Sequence, residues 1–357
     1  MEFDYIVVGA GSAGCVLANR LTASGAHSVL LLEAGPEDRN LWLHIPAGYG
    51  RLYMNPKYYW GFETEPEEQL NGRTAVIPRG KVLGGSSAVN GLVYIRGQRE
   101  DYDEWKALGN SGWGYDDVLP YFRKSEDQQR GADPYHGAGG PLGVSDPRDR
   151  HEVCDAFIAA AGEAGFPRND DFNGRRQAGA GYFQATAKGG WRHSAATAFL
   201  KPARRRPNLT VLTEALTQRI LLEGGEARGV EFRRGGAVLQ ARARREVLLC
   251  AGAIQSPQLL QLSGIGPGEL LQRHGIPVRR DLPGVGRGLR DHCNVWLAYR
   301  CTRPVTLNDY AGSLGGRIRM AARYALSRSG LLSQGPGYAG IFFATGERGT
   351  LPDMQVH

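Results

Sequence analysis

A glycine-rich turn between a predicted strand and a predicted helix opens the chain. The sequence DYIVVGAGSAGCVLANRL begins with an apolar run at Tyr5–Val8, which is typical of a strand covered on both faces. A G-x-G-x-x-G pattern follows directly at residues 9–14, and a helix is predicted from residue 13 to about residue 24, where Gly25 ends it. This order of elements predicts the start of a nucleotide-binding α/β unit with a parallel sheet.

Each glycine of the turn has a separate role in binding a dinucleotide. Gly9 allows the tight turn, Gly11 lets a pyrophosphate approach the backbone, and Gly14 lets the helix pack on the strand. A second predicted strand, Val29–Leu32, ends at Glu33, whose carboxylate is placed to accept hydrogen bonds from a ribose hydroxyl and to repel a 2′-phosphate. The pattern favours a dinucleotide site over a chance glycine-rich turn, and by itself it does not separate NAD from FAD.

A second glycine-rich stretch, GKVLGGSSAVNG, covers residues 80–91. Its glycines and Lys81 are compatible with a phosphate cradle, but a P-loop needs Ser or Thr directly after the lysine, and Val82 stands there. A plain Gly-Ser turn is one alternative. The other is a cofactor contact, because the small residues 84–87 leave room for a large flat group and Asn90 offers an amide donor and acceptor.

Length and composition indicate an ordinary globular protein with two domains. The chain has 357 residues, and its 41% hydrophobic and 22% charged content disfavours extensive disorder. The net charge of +7 is spread along the chain. The basic runs at residues 204–206 and 242–245 contain no interleaved aromatic residues, so we predict that the protein does not bind nucleic acid.

Cysteine usage and hydropathy bear on the compartment. Five cysteines without a C-x-x-C spacing disfavour a disulfide framework and a zinc site, so we predict no metal and a reducing compartment. A strand-like run begins at Phe3 and no apolar run of about eighteen residues occurs, so we expect neither a signal peptide nor a transmembrane segment. The expected location is cytoplasmic, and peripheral association with a membrane stays open.

Several longer motifs resemble the glucose-methanol-choline (GMC) oxidoreductase family of FAD-dependent alcohol oxidases and dehydrogenases. PRGKVLGGSSAVNGLVYIRGQREDYDEW (78–105) resembles the family's first signature, and GAIQSPQLLQLSGIGP (252–267) its second. Shorter similarities are DDFNG (170–174), RPNLTVLTEA (206–215) and DLPGVGRGLRDH (281–292). These motifs follow the family's order along the whole chain, and bacterial choline and aliphatic or aromatic alcohol dehydrogenases resemble it most.

The resemblance implies FAD as the cofactor and assigns the second glycine-rich stretch to it. Residues 79–86 would run along the pyrophosphate and ribitol, and residues 90–93 would lie beside the isoalloxazine ring. Thr217 stands where the family often has a valine whose backbone meets the adenine, and Ala251 and Gly252 would close over the cofactor. The residues expected to contact FAD are Gly9, Gly11, Ser12, Ala13, Gly14, Glu33, Ala34, Arg79, Val82, Gly84, Gly85, Ser86, Asn90, Gly91, Leu92, Val93, Thr217, Ala251 and Gly252.

Three positions show where this chain differs from its relatives. Some family members attach FAD covalently through a histidine, and the matching position is Val89, so the resemblance implies a non-covalently bound flavin. Family members commonly have Asn and Gln where Gly288 and Arg290 stand, so the local turn departs from the family's pattern.

The fold class that we expect is α/β, with a Rossmann-like FAD-binding domain of the GMC type and a partial α+β substrate domain containing an antiparallel sheet. By resemblance, residues 1–145 and 200–295 form the FAD-binding domain, and residues 146–199 and 296–357 form a truncated substrate domain. Further short strands are predicted at Leu209–Leu212, Arg219–Leu222, Gly229–Phe232 and Val247–Cys250. The family's catalytic histidine and its His or Asn neighbour belong to a portion beyond residue 357, so no catalytic residue is assigned.

Two other groups of residues are candidates on their chemistry alone. His292, between Asp291 and Cys293, suggests a Cys-His nucleophile or a metal ligand, but adjacent strand residues point to opposite faces and no partner spacing supports either role. We therefore predict a structural role for it. Residues 58–60, Tyr-Tyr-Trp, are predicted either to line the flavin entrance or to form a packed aromatic cluster.

The resemblance implies an enzyme that oxidises a primary alcohol, choline-like, aliphatic or aromatic, to an aldehyde by hydride transfer to flavin N5. The reduced flavin would pass its electrons to a quinone-type carrier or to O₂. Two alternatives stay open. The same scaffold serves hydroxynitrile lyases and photodecarboxylases, and the chain as given is alternatively a non-catalytic FAD-binding fragment, because the family's catalytic portion is absent from it.

Overall fold

The computed structural model describes residues 1–346 and 351–357, and its elements are numbered in chain order. In this part of the chain the strands are β1 (Glu2–Val8), β2 (Val29–Leu32), β3 (Tyr59–Glu63), β4 (Val76–Gly80), β5 (Glu126–Gln128), β6 (Leu142–Val144), β7 (Gly179–Tyr182), β8 (Ala187–Lys188), β9 (Trp191–Arg192), β10 (Leu209–Leu212), β11 (Leu216–Glu223), β12 (Glu226–Arg234), β13 (Ala237–Leu249), β14 (Ile265–Gly266), β15 (Arg280–Asp281), β16 (Ala339–Phe343) and β17 (Met354–Val356). The α-helices are α1 (Ser12–Leu21), α2 (Leu41–His44), α3 (Tyr49–Leu52), α4 (Arg99–Ala107), α5 (Tyr115–Ser125), α6 (Glu152–Glu163), α7 (Lys201–Ala203), α8 (Gly252–Leu262), α9 (Gly268–Arg273), α10 (Leu307–Ala311) and α11 (Leu314–Ser327).

The chain divides into two units, each assembled from three separate segments. The first unit comprises residues 1–39, 52–90 and 194–298. The second unit comprises residues 40–51, 91–193 and 299–357.

A six-stranded mixed sheet forms the centre of the first unit, in the order β10-β2-β1-β13-β12-β11. Strands β10, β2, β1 and the end of β13 run parallel, whereas β11, β12 and the start of β13 pair antiparallel. The parallel strands are continuous apolar runs because both faces of the sheet are covered there. Their side chains join those of the antiparallel strands in one core, which includes Ile6, Leu30, Val230, Phe232 and Leu259.

The local predictions for this unit are confirmed, with longer strands than expected. Strands β2 and β10 have the predicted bounds, and the predicted runs at 219–222 and 229–232 lie within the longer strands β11 and β12. The predicted strand 247–250 overlaps the end of β13, which stops one residue earlier, at Leu249. Helix α1 ends at Leu21, three residues before the predicted end, because residues 22–24 form a turn in which Thr22 Oγ1 donates to the Ala18 carbonyl at 2.7 Å. Gly25 follows this turn with φ +78°.

The second unit contains the predicted antiparallel sheet, in the order β17-β16-β7. Helix α6 packs against β7 and β16 through Ala161, Ala180 and Ile341. A separate cluster of aromatic rings, Phe172, Phe183 and Phe342, adds to the core of this unit. The unit is therefore of the α+β type.

The boundaries of the units differ from the predicted domain boundaries. Residues 40–51 and 91–145, expected in the FAD-binding domain, belong to the second unit. The reason is long-range pairing: the Tyr94 N–H donates to the Gln184 carbonyl at 2.8 Å, and the Arg96 N–H donates to the Asn173 side chain at 2.8 Å. Contacts across some 80 residues of sequence leave no local signal in the sequence itself.

The helices are short throughout the described ranges. The longest of them, α11, has 14 residues, whereas a helix needs about 20 mostly apolar residues to cross a bilayer. Within residues 1–346 and 351–357, no helix has both the length and the apolar character that a membrane span requires.

Candidate functional site

A cavity of about 840 Å³ opens at the carboxyl edge of the parallel strands in the first unit. Val8 at the end of β1 is in register with Leu32 of β2 and with Leu249 of β13, so the loops that follow these strands meet at one edge. Open α/β sheets bind ligands outside the carboxyl ends of their strands. Twelve of the predicted contact residues line this cavity: Gly9, Gly11, Ser12, Ala13, Glu33, Ala34, Arg79, Gly85, Ser86, Thr217, Ala251 and Gly252.

The three glycines of the first turn differ in what surrounds them. Gly9 has φ +96°, and a Cβ there would lie 2.5 Å from the Cys250 carbonyl oxygen. A Cβ on Gly14 would lie 1.9 Å from the Gly9 carbonyl oxygen, so this glycine has the packing role predicted for it. A Cβ on Gly11 would meet no atom within 4 Å. Gly11 therefore presents its backbone to the open cavity, and the other two hold the turn against its neighbours.

Helix α1 begins at this turn, and no side chain in the described ranges caps its first N–H groups. Its N-cap residue is Gly11, and Ser12 and Ala13, in the first turn of the helix, line the cavity. The first N–H groups of a helix have no partner inside the helix, and the helix dipole adds positive character at this end. The arrangement is suited to an anionic group such as a pyrophosphate.

Glu33 is a buried carboxylate in the wall of the same cavity. It is 6% exposed; Oε2 accepts the Ala10 N–H and Oε1 accepts the Gly35 N–H, both at 2.9 Å. Burial raises the pKa of Glu33 to about 6, against the two hydrogen bonds and the nearby Lys81 ammonium, which lower it. Each oxygen retains acceptor capacity, so the ionised carboxylate can also accept a hydrogen bond from a ligand hydroxyl.

The second glycine-rich stretch folds back on the first turn. Gly84 and Gly85 have φ +93° and +54°, and a Cβ on Gly85 would lie 2.8 Å from the Cα of Gly11. A 3-10 turn at Gly85–Ala88 follows, and Ser86 Oγ accepts the Gly80 N–H at 3.0 Å. The backbone of this stretch therefore forms a second wall of the cavity. A plain Gly-Ser turn, which was the alternative, would not need these close backbone contacts.

Seven predicted residues lie outside the cavity lining. Gly14, Val82 and Gly84 are buried behind it, and Val82 has no exposed surface. Asn90 ends the first unit's second segment, whereas residues 91–93 belong to the second unit. Leu92 there is 1% exposed and has φ +65°, an uncommon conformation for a residue other than glycine. Cofactor contacts of these residues stay predictions.

Two aromatic side chains on the β3–β4 hairpin line the cavity, Trp60 and Phe62. Their rings stack with centroids 5.9 Å apart, and the Lys81 ammonium lies 4.6 Å from the Trp60 ring centroid. Tyr58 and Tyr59 are instead buried, at 6% and 5% exposed. Trp60 therefore lines the cavity and the two tyrosines are packed in the interior, and a role of Trp60 at a flavin entrance stays a prediction. The alternation of residues 60 and 62 was the signal that could have placed Phe62 on the same face.

Helix α8 supplies a further wall that the sequence reasoning did not assign. Its residues Gln255, Ser256 and Gln258 line the cavity together with the apolar Leu259 and Leu262. The second family-like signature covers this helix, so the signal was present in the sequence. What it lacked was the information that this helix face points to the cavity.

Arg79 lies at the cavity and pairs with a carboxylate from a distant part of the chain. Its guanidinium lies 3.3 Å from Asp291 Oδ2 and donates to the Pro78 carbonyl at 2.9 Å. His292 is exposed, and no group of three or more metal-ligating side chains in the described ranges includes it. Gly288 has φ +70°, a conformation that Asn also tolerates, so glycine can replace the Asn common in the family.

The second unit contains a buried ionic network unrelated to this cavity. Glu126, fully buried, accepts from Arg96 at 2.7 Å and pairs with His136 Nδ1 at 2.9 Å, while His136 Nε2 pairs with Asp171 at 2.9 Å. Burial alone would lower the pKa of His136, but the hydrogen bonds to Asp171 and Glu126 outweigh it and raise the pKa to about 9. Asp133, His136 and Asp171 have metal-like spacing. A protonated imidazole with both nitrogens engaged is no metal ligand, so we assign the cluster to structure.

The residues around the cavity of the first unit fit a dinucleotide. They combine an open glycine backbone, an uncapped helix N-terminus and the acceptor Glu33, and the buried Thr217 hydroxyl has no partner among the described residues. The volume lies within the range of about 300–1,000 Å³ that is usual for ligand sites. The glycine backbone and the helix N-terminus would hold a pyrophosphate, and Glu33 would accept a hydrogen bond from a ribose.

Comparison with known proteins agrees with this interpretation. A family model described as GMC oxidoreductase matches residues 3–294. Oxygen-dependent choline dehydrogenase of Photobacterium profundum is 47% identical over 92% of this chain and 58% of its own length. Human mitochondrial choline dehydrogenase is 48% identical over 86% of this chain and 53% of its own length. The chain therefore spans little more than half the length of these two relatives.

Solved structures with the same fold include two oxidases. Pyridoxine 4-oxidase from Mesorbium loti is 37% identical, with a TM-score of 0.76 over 78% of this chain and 55% of that one. A variant of formate oxidase from Aspergillus oryzae, described for its FAD modification, is 29% identical, with a TM-score of 0.86 over 96% of this chain and 61% of that one. GMC oxidoreductases are FAD-dependent flavoproteins. From the match over residues 3–294 and the relatives at 47–48% identity, the chain belongs to the GMC oxidoreductase family.

Proposed function

We propose that this chain binds FAD in the cavity of the first unit and forms part of an enzyme that oxidises an alcohol to an aldehyde. The observation that carries the proposal is the cavity itself, where backbone donors and a buried carboxylate face a space of about 840 Å³. The two glycine-rich stretches form much of the wall of this cavity.

Different residues of the chain would bind different parts of the cofactor. The N–H groups at the start of α1 would hold the pyrophosphate, Glu33 would accept from a ribose hydroxyl, and Arg79 would add a positive charge at the rim. Leu259 and Leu262 of α8 would cover an apolar part of the cofactor. When bound, FAD would supply the redox chemistry, as the acceptor for a hydride from the alcohol carbon.

The proposed substrate is a primary alcohol, choline-like or aliphatic or aromatic, and the proposed electron acceptor is O₂ or a quinone-type carrier. The names of the relatives support this class: two are choline dehydrogenases, one of which is called oxygen-dependent. The pyridoxine oxidase among the solved structures is named for another alcohol.

We further propose that the flavin is held without a covalent bond. Val89, at the position where some relatives carry the linking histidine, is 7% exposed and has an aliphatic side chain. Its carbonyl accepts the Tyr59 hydroxyl at 3.0 Å, which fixes the loop at this point. Acid precipitation should release all flavin absorbance into the supernatant. Yellow colour that stays with the precipitated polypeptide would contradict this binding mode.

The activity is tested in two stages. The first measures FAD binding by this chain from the change in flavin fluorescence, and the second follows the flavin absorbance band of the full-length protein under anaerobic conditions during addition of a panel of primary alcohols. Binding followed by bleaching is the expected result. If this chain does not bind FAD, the proposed function is wrong.

Binding without bleaching by any alcohol would favour the alternative of a non-catalytic FAD-binding part. Turnover without net flavin reduction, or only under light, would instead select lyase or photodecarboxylase chemistry. Each outcome therefore separates one of these alternatives from the others.

A further inference from the structure

Helix α11 of the second unit has one face packed on the protein and one face in solvent. Ser313 caps its first turn, with the side chain accepting the Gly316 N–H at 3.0 Å. On the packed face Tyr324 is 4% exposed, and its hydroxyl donates to the Gly190 carbonyl at 2.9 Å. The Tyr324 ring also packs edge-on against Trp191, with centroids 5.6 Å apart. These contacts determine which side of the helix meets solvent.

The solvent face of α11 is apolar along most of its length. Leu314, Ile318 and Leu326 are 74%, 60% and 89% exposed, and Ala322 between them is exposed as well. These four residues are spaced four apart, so they follow one another along one side of the helix and form a stripe about 18 Å long. We call them the apolar stripe of α11. A contiguous exposed apolar surface of this kind marks an interaction site.

Arginines border the apolar stripe on both sides. Arg317 and Arg319 directly precede and follow Ile318, so they lie about 100° to either side of it around the helix axis. Both are exposed, and among the described residues no acidic side chain pairs with either of them. Residues 310–346 contain no Asp or Glu. The solvent face of α11 is therefore apolar along its centre and positive at both borders.

A bilayer surface with anionic lipids offers both kinds of group that this face can contact. Its acyl-chain boundary accommodates apolar side chains, and lipid phosphates at the same depth accept hydrogen bonds from guanidinium groups. Arginine side chains reach the phosphates while their aliphatic parts stay beside the apolar residues. A protein partner would need an apolar groove between two acidic ridges, whereas an anionic bilayer supplies this combination at every point of its surface. A helix bound in this way lies in the plane of the interface.

We propose that α11 binds the surface of a membrane that contains anionic lipids. The apolar stripe would insert at the level of the headgroups, and Arg317 and Arg319 would contact lipid phosphates. This inference goes beyond the proposed function and does not depend on it, because the FAD cavity is lined by other residues, in the first unit.

The test is flotation of the full-length protein with vesicles of phosphatidylcholine alone, or of phosphatidylcholine with about 30% phosphatidylglycerol. Leu326→Gln alters the most exposed leucine of the apolar stripe. Its matched control is Leu108→Gln, at a leucine that is 74% exposed and directly follows the acidic helix α4. Arg319→Gln removes one bordering charge, and its control is Arg205→Gln, at an exposed arginine of the first unit.

The unaltered protein is expected to bind the anionic vesicles at least about tenfold more strongly than those of phosphatidylcholine alone. Leu326→Gln should lower the partition coefficient about tenfold, because the inserted leucine is lost. Arg319→Gln should lower it about fivefold at about 0.05 M salt and much less at about 0.5 M salt, where the charges are screened. Both controls should stay within about twofold of the unaltered protein, and all four variants should keep its thermal midpoint, because every altered side chain is exposed.

Absence of flotation with the anionic vesicles would overturn the inference. Equal binding to both kinds of vesicle would overturn the role of the anionic lipids, and equal loss in Leu326→Gln and Leu108→Gln would show that α11 is not the contact. Sedimentation without vesicles supplies a further check, since a dimer that Leu326→Gln dissociates would assign the apolar stripe to a second copy of the chain. Failure of FAD binding would overturn the proposed function and leave this inference standing, because vesicle binding is measured separately.

Discussion

The molecule contains two buried polar regions that are built in opposite ways. The cavity of the first unit has backbone N–H groups at the start of a helix and the Thr217 hydroxyl, which has no partner in the part of the chain that the structure describes. The network of the second unit pairs Arg96, Glu126, His136 and Asp171 at 2.7–2.9 Å. The cavity keeps polar groups that are open to a ligand, whereas the charged groups of the network are paired with one another.

The difference separates a binding site from a structural device without reference to any relative. Charged side chains taken out of water are tolerated when they pair with one another, so the charges of such a region are satisfied inside the protein. A region whose backbone N–H donors are open to a large cavity can bind a ligand that supplies the acceptor. The metal-like spacing of Asp133, His136 and Asp171 would mislead a search by residue type, whereas the pairing shows that their capacity is already used.

The largest effect on this comparison is expected from Glu126→Gln. The change keeps the shape but leaves the guanidinium of Arg96 and the imidazolium of His136 without their shared carboxylate, and loss of one partner of a buried ion pair costs about 3–5 kcal/mol. The midpoint of urea unfolding should fall accordingly, while the Kd for FAD stays within about twofold under folding conditions.

Asp116→Asn is the matched control, because it breaks the exposed pair with Arg99 and should change stability by less than about 1 kcal/mol. If the two variants were equally stable, the network would not have the structural role assigned to it.

Gly14→Ala is expected to act on the cavity in the first unit. The added Cβ would lie 1.9 Å from the Gly9 carbonyl oxygen, so α1 must move away from the turn that presents its N–H groups. Overpacking of this kind costs about 1–3 kcal/mol, and the Kd for FAD should rise about 10- to 100-fold.

The control for that prediction is Gly162→Ala, at a glycine of α6 whose Cβ would meet no atom within 4 Å. Alanine there should be neutral or stabilise by up to about 1 kcal/mol. A Gly14→Ala protein that binds FAD as tightly as the Gly162→Ala protein would show that the turn tolerates the side chain and that the contact is unimportant.

The smallest expected effect is a pH dependence of opposite direction in the two regions. The pKa of Glu33 is raised to about 6, and the ionised form is the one that accepts from a hydroxyl, so FAD affinity should fall about tenfold between pH 7 and pH 5. The pKa of His136 is raised to about 9, above its ordinary value of 6.5, so its stabilising effect is complete below pH 6.5 and is lost as the pH rises through 9.

Titrations of FAD binding and of urea unfolding over this range measure both effects. Glu33→Gln should bind FAD more weakly at neutral pH and with a flat profile between pH 5 and pH 7, because its amide does not titrate there. A profile that keeps its step near pH 6 in this variant would assign the titration to another group.

The sequence predicted those parts of the fold and site that depend on local patterns. The strand, glycine turn and helix at the start of the chain are confirmed because each is determined by residues within a few positions of one another. The placement of Glu33 at the end of β2 follows from the same local order. The family resemblance extended this to the second glycine-rich stretch.

Features that depend on distant contacts were missed. The ionic network joins Arg96 to Glu126 and His136 to Asp171, across 30 and 35 residues with no periodic signal. Residues 91–145 belong to the second unit through similar contacts. The unpaired state of the Thr217 hydroxyl was equally invisible, because a sequence shows which groups can form hydrogen bonds and not which of them remain without one.

The main-chain construction of the cavity wall has a consequence for how such a protein can evolve. Gly9, Gly11 and Gly85 form it from main chain, and a Cβ on Gly9 or Gly85 would lie 2.5 or 2.8 Å from a backbone atom, so side chains are excluded at these two positions. New cofactor preference or new affinity can be reached through its few side chains, Glu33, Trp60, Arg79 and Thr217 among them. We therefore expect sequence divergence among descendants of this chain to accumulate at those positions, while the glycine backbone of the wall stays unchanged.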